Sequence, residues 1–483
     1  MIRHQFAVPL VLALAAGTPS PGAARQAGPP SAALLIRGGW IFDATGDAVR
    51  RNPGIRVRAG KLFDMQAGAQ AVDGEAVLDL AADEYILPGL FDLHAHYAVD
   101  LFGGGRVDEY DVYPILFLAN GVTSTFPAGE VDPEGMEAAR RRIESGVQVG
   151  ARIHGSGPYW GTARPGWRPE AMTPDSIRRE VDHWAARGVR GLKAKGIRPA
   201  QLRALIEQAH LHGLTVTGHL DSGFRDSVNP REAIAMGIDR IEHFLGGDAI
   251  TADRPAYASL ERLDAGRPEV RDIIERYIRH GVRFDATLTA YGYFGLREPA
   301  VYERWVDEMA FLTPYTRSAV EAGLPRRVNE QFERIYHVKK KTVKAFFDAG
   351  GAGLITLGTD HPSWGEFLSG FAAHRELHAL VLSGIPAAAA LRIATVNGAR
   401  ALGLADRLGT LEAGKLADLF VIRGNPLEDI RNTRNIRTVM KAGVVYDPAV
   451  LLDSVRGRLG PATAADEAAW KGNDRYAREP QTR

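Results

Sequence analysis

The chain contains no cysteine. That removes disulfides, zinc–thiolate sites, iron–sulfur clusters and thiol nucleophiles at once. A metal in this protein has to be held by histidine, carboxylate or a modified lysine. An excess of either charge sign is also missing: 59 Lys+Arg face 58 Asp+Glu, a formal net charge of +1. Nothing in that balance draws a polyphosphate, so no nucleic-acid partner is expected. A membrane-length apolar run is absent as well. The run Phe6–Ala16 is interrupted by Pro9 and falls short of the ~20 residues that span a bilayer. No G-x-G-x-x-G follows an early strand, which weakens an open dinucleotide-binding sheet.

What is present reads as an exported globular protein. Hydrophobic residues make up 45% of 483 and charged residues 24%, ordinary for a packed protein. Residues 1–24 read as a signal peptide. Arg3 and His4 precede the apolar run, and Gly22-Ala23-Ala24 offers small residues for cleavage. The mature chain is therefore expected in the periplasm or outside the cell, without an integral membrane segment. Residues 451–483 read as a loosely attached C-terminal tail.

Two stretches carry short β patterns bounded by Gly and Asp, within residues 32–84 and 406–450. Neither is long enough for its own core, so together they predict one composite β-sandwich domain built from both chain ends. Between them, residues 85–405 alternate apolar strands with helical segments. Candidate strands cover Phe91–His96, Gly121–Phe126, Ala151–Gly155, Gly191–Lys195, Thr215–His219, Arg240–His243, Val282–Thr287 and Leu354–Asp360. Strand–helix alternation repeated eight times predicts an α/β fold, a (β/α)8 TIM-like barrel. Residues 291–341, rich in aromatics, are too long for a plain connection. They follow the seventh strand and read as a lid insertion over the barrel mouth, or as a helical excursion whose aromatics pack on its own core.

The sharpest local feature is Leu93-His94-Ala95-His96. Alternate residues of a strand share a face, so two imidazoles at this spacing can chelate one metal. Other strand ends add to it: His219, His243 and Asp360 each finish a candidate strand, and Lys193 lies near the end of another. Catalytic groups of barrels come from the C-terminal ends of several strands. Four imidazoles and a carboxylate suit zinc among divalent metals. Lys195 shares a strand face with Lys193, so spacing alone does not choose between them. Weaker candidates for substrate contact are Tyr291, Tyr293, His361, His154 and Lys195.

With Pro88-Gly-Leu-Phe-Asp-Leu-His94-Ala-His96, Gly121-Val-Thr, the ordered Lys193, His219, His243 and Asp360, and the runs Ala394–Gly403 and Gly409–Leu419, the chain resembles the amidohydrolase superfamily. Within it the likeness is to the imidazolonepropionase-like, prolidase-like branch. The resemblance implies two divalent cations, zinc foremost. His94 and His96 would hold the buried one, and His219 and His243 the more exposed one. Lys193, carboxylated on its amine, would bridge them, and Asp360 would be both ligand and proton-transfer group. It favours Lys193 over Lys195 as the bridge. It further implies cleavage of an amide bond in a small molecule, such as a dipeptide or an N-acyl amino acid, by a metal-bridging hydroxide. Cyclic amides, esters and lactones are the alternative substrates, and a homo-oligomer is a common state of such enzymes. An inert scaffold is disfavoured because all six ligand positions carry competent residues.

Overall fold

The computed structural model describes residues 33–100, 106–220, 228–243, 260–261, 263–324, 327–361, 365–471 and 476–477. The expected signal peptide lies outside the described residues. The fold is mixed α/β.

Each of the eight expected strands has a counterpart. They are Leu90–Ala95, Val122–Pro127, Arg152–Ile153, Gly191–Lys195, Thr215–His219, Arg240–Glu242, Arg283–Asp285 and Ile355–Thr356. Neighbours pair in parallel, in a three-stranded and a six-stranded sheet; the latter also contains Tyr159–Trp160. Hydrogen bonds join the two sheets. Leu93 N donates to Leu357 O at 2.9 Å, and Arg190 N donates to Gly155 O at 2.8 Å. The strands are buried almost throughout, which is why they read as continuous apolar runs rather than alternating ones.

Five strands stop short of their expected ends, and at three of those ends the backbone is left-handed. His243, Thr287 and Asp360 have φ of 65°, 48° and 55°. A left-handed backbone cannot continue a ladder, so the chain turns out of the sheet at or just before these residues. Helix starts follow their local signals. Thr173 accepts from Ser176 N at 3.2 Å, and Asn229 accepts from Arg231 N at 2.8 Å, each with proline just inside the helix.

Strands from both chain ends form one eight-stranded mixed sheet. Leu34–Ile41 pairs in parallel with Ala76–Pro88, which pairs antiparallel with Leu419–Arg423. The pleat divides the apolar residues. Ile86, Leu419, Val421 and Met440 pack with Leu34, Ile36 and Ile55 in a core of their own. Leu87, Phe420, Ile422 and Val439 face the main core instead. The central strands thus have two apolar faces, and each buried side chain of this size contributes about 1.5–3 kcal/mol.

Several aromatics of the 291–341 stretch are buried in the main core, among them Tyr291, Tyr293, Tyr302, Phe311 and Tyr336. Two guanidinium groups lie against the Trp305 ring, that of Arg375 at 4.3 Å and that of Arg434 at 4.1 Å from its centre. Phe311 stacks on Phe371 at 5.7 Å, and Tyr315 donates to Glu467 at 2.6 Å. Glu308 pairs with the fully buried Arg375.

Candidate metal centre

The strand Leu90–Ala95 places Asp92 and His94 on one face. The Asp92 carboxylate accepts from His94 N and Thr359 N, both at 3.1 Å, and from Thr359 Oγ1 at 2.6 Å. Asp360 N donates back to His94 O at 2.9 Å. These bonds tie the histidine strand to the turn that carries Asp360. From that turn Asp360 Oδ1 lies 2.8 Å from His96 Nε2 and 3.3 Å from His94 Nε2. Its Oδ2 lies 3.9 Å from His243 Nε2.

The four imidazoles form a chain of adjacent rings. Centroids are 5.2 Å apart for His94–His96, 4.8 Å for His94–His243 and 4.5 Å for His219–His243. Lys193 is buried beside them, its Nζ against Glu242. The Asp360 side chain is 28% exposed, whereas those of His94, Lys193 and His243 are at most 2% exposed. The cluster therefore opens to solvent on the Asp360 side.

Burial, reinforced by the Lys193 charge, holds His94 well below the usual imidazole range. Burial lowers His96 as well, and burial with the neighbouring His219 lowers His243 strongly. Lys193 is pulled well below the usual lysine range by burial and then by Lys195. Burial alone would raise Asp360, but the His94, His96 and His243 rings hold its carboxyl well below the usual range. Neutral imidazoles and an ionised carboxylate are the protonation states in which these groups bind metals.

The donors fit a divalent cation. Ligand atoms of His94, His96 and Asp360 lie within 4.8 Å of one another, as do those of His94, Glu242 and His243. His94 Nδ1 is buried and has no hydrogen-bond partner. Such an orphan is costly in a dry interior unless a further group meets the ring.

The other expected residues divide. Lys195, the last residue of its strand, is only partly buried and pairs in register with His219, two residues beyond Lys193. The Tyr291 ring is 5.8 Å from His243 and stacks on Phe332. Tyr293 donates to Glu366 at 3.3 Å, and its ring is 6.5 Å from that of His361. His361 is buried where its carbonyl accepts from His96 N at 3.2 Å, and burial pushes its ring down to about 3. His154 is not brought to the cluster. It stacks on Phe91, which packs with Leu93, Phe126 and Leu402 on the opposite side of the histidine strand.

Three neighbours of the cluster were not anticipated from sequence. Asp92 stands two residues before His94, so the period of two already put it on the same face. Glu242 is fully buried; its Oε1 accepts from Thr217 Oγ1 at 3.0 Å and its Oε2 lies 3.5 Å from His94 Nδ1. Strict alternation would turn Glu242 away from His243, but the left-handed backbone of His243 sends both side chains to the cluster. Lys339 comes from the helix Glu330–Asp348 and donates to His243 O at 2.6 Å.

The chain belongs to the amidohydrolase family, whose sequence pattern matches residues 85–446. It is similar over a short stretch to a 5-methylthioadenosine/S-adenosylhomocysteine deaminase of Teredinibacter turnerae, 42% identical over 83 residues. That match covers 15% of this chain and 18% of the relative, so it spans under a fifth of the relative's length. Among solved structures, it is similar to molinate hydrolase, with a TM-score of 0.66 and 21% identity over 90% of this chain and 99% of that one. It is also similar to a putative prolidase from Bifidobacterium longum, with a TM-score of 0.63 and 24% identity over 92% and 100%. Likeness at these identities concerns the fold.

Proposed function

We propose that this chain is an exported, metal-dependent hydrolase of carbon–nitrogen bonds. Its substrate is a small amide such as a dipeptide or an N-acyl amino acid. The observation that carries the reading is the convergence of His94, His96, His219, His243, Lys193 and Asp360, from five separate segments, on one buried cluster that is most exposed at Asp360. The parallel strands are read as one (β/α)8 barrel, and the sheet from both chain ends as a composite β domain.

His94 and His96 would hold one cation, His219 and His243 a second, and a carboxylated Lys193 would supply an anionic oxygen to each. Two bound divalent cations lower the pKa of a water and polarise a carbonyl. Asp360 holds the proton. Its Oδ1 lies beside the His94 and His96 Nε2 atoms that would hold the first cation, so Oδ2 would be the oxygen that takes a proton from the attacking water and passes it to the leaving nitrogen. Burial holds His94, His96 and His243 below the usual imidazole range, so they compete poorly for that proton.

A second reading, hydrolytic release of ammonia from an amino group, is favoured by the short match to a deaminase. A screen of zinc-loaded protein against dipeptides, N-acyl amino acids, lactams, aminopurine nucleosides and esters separates the two. Cleavage of linear amides is expected. Turnover of esters with no C–N substrate would sink the proposal, and ammonia release from nucleosides alone would establish the second reading.

A further inference from the structure

Lys339 is 1% exposed, although its helix lies outside the strand ends that carry the candidate ligands. Its Nζ reaches inward to the main-chain carbonyl of His243 at 2.6 Å and lies 4.0 Å from the centre of the Tyr291 ring. A buried lysine head needs partners, and here they are a carbonyl and an aromatic face. Either the amine or the ammonium donates to that carbonyl.

His243 is a residue that has to be held. Its φ of 65° is disfavoured for a side chain with a Cβ. Its amide donates to Asp285 O at 2.8 Å. Its ring Nδ1 lies 2.6 Å from Thr287 Oγ1, and that hydroxyl donates to Ala286 O at 2.8 Å. With its own proton spent on Ala286, Thr287 accepts from Nδ1–H, so Nε2 carries the lone pair. That is the nitrogen facing Asp360 Oδ2 at 3.9 Å. The Lys339 bond fixes the third point, the carbonyl.

We infer that Lys339 is a positioning residue for His243, gripping the left-handed turn from which Nε2 meets the second cation. The inference rests on the two-cation reading above. Outer partners that orient a ligand typically change metal affinity 10- to 100-fold. The test is stepwise titration of metal-free wild type and Lys339→Met with Co(II), followed by absorption spectroscopy and calorimetry, with far-UV circular dichroism as the folding control. The first equivalent should bind as in wild type. The second should weaken about 10- to 100-fold, with a changed d–d spectrum. Should Lys339→Met fail to fold, Lys339→Gln, which shortens the reach, should show the same selective loss. Wild-type binding of both equivalents, or equal weakening of both, overturns the inference. A wild type that takes up no second equivalent overturns the two-cation reading, and this inference with it.

Discussion

Glu376 offers a quantitative test of the packing around the site. It is 1% exposed, and its carboxylate accepts from Leu288 N, Thr289 N and Thr289 Oγ1, each at 2.8 Å. It thus caps the start of the helix Leu288–Phe294, which carries Tyr291. Burial raises its carboxyl from the ordinary 4.5 to about 7, the three bonds offsetting part of that rise. A raised acid pKa means that the folded state binds the proton more tightly than the unfolded one. Stability from this group is therefore fully present below about 4.5 and declines as pH rises to about 7. A tenfold change in proton affinity is worth about 1.4 kcal/mol, so the decline amounts to about 3 kcal/mol. Glu376→Gln keeps the shape, aims an NH2 at a donor and abolishes the titration. The stability advantage of wild type over Glu376→Gln should therefore shrink by about 3 kcal/mol between pH 4.5 and 8. Urea unfolding of both metal-free proteins across that range measures it, because their common titrating groups cancel. A difference that stays level, or grows with pH, would refute the reasoning.

Asp360→Asn should lower turnover by about 10²–10⁴-fold while metal content stays near wild type. Loss of metal together with activity would assign Asp360 a structural role instead. Arg375→Met leaves Glu308 buried and unpaired, so a loss of about 3–5 kcal/mol is expected, read by urea unfolding. In Gly358→Ala the added Cβ would sit 2.6 Å from His94 Cβ and 2.7 Å from Asp285 Cγ. That overpacking should cost about 1–3 kcal/mol and weaken metal retention, measured by thermal melting and elemental analysis.

Much of this arrangement is legible in the linear chain, for physical reasons that can be named. Strands buried on both faces write themselves as short apolar runs between turn residues, and all eight expected runs have a counterpart. Chemistry placed at the ends of those runs stands out because His and Asp interrupt apolar sequence, as at His219 and Asp360. Three features resist that reasoning. His154 ends a run like the others, yet its ring packs outward on Phe91; a strand end gives a residue's height in the fold but not its direction. Glu242 escapes because alternation fails where His243 turns left-handed. Lys339 sits in the run Lys339-Lys340-Lys341, which looks like a solvated helix face until packing against the strand ends buries one of the three. In each case the deciding information is tertiary.

The central claim is that the buried His–Lys–Asp cluster is a metal centre. Elemental analysis of the purified chain, loaded with zinc in bicarbonate buffer and then freed of excess metal, tests it most directly. The account predicts two tightly held zinc ions per chain, and their loss when His94 and His96 are replaced by alanine. A chain that retains no zinc, or that retains it equally without those histidines, would contradict it.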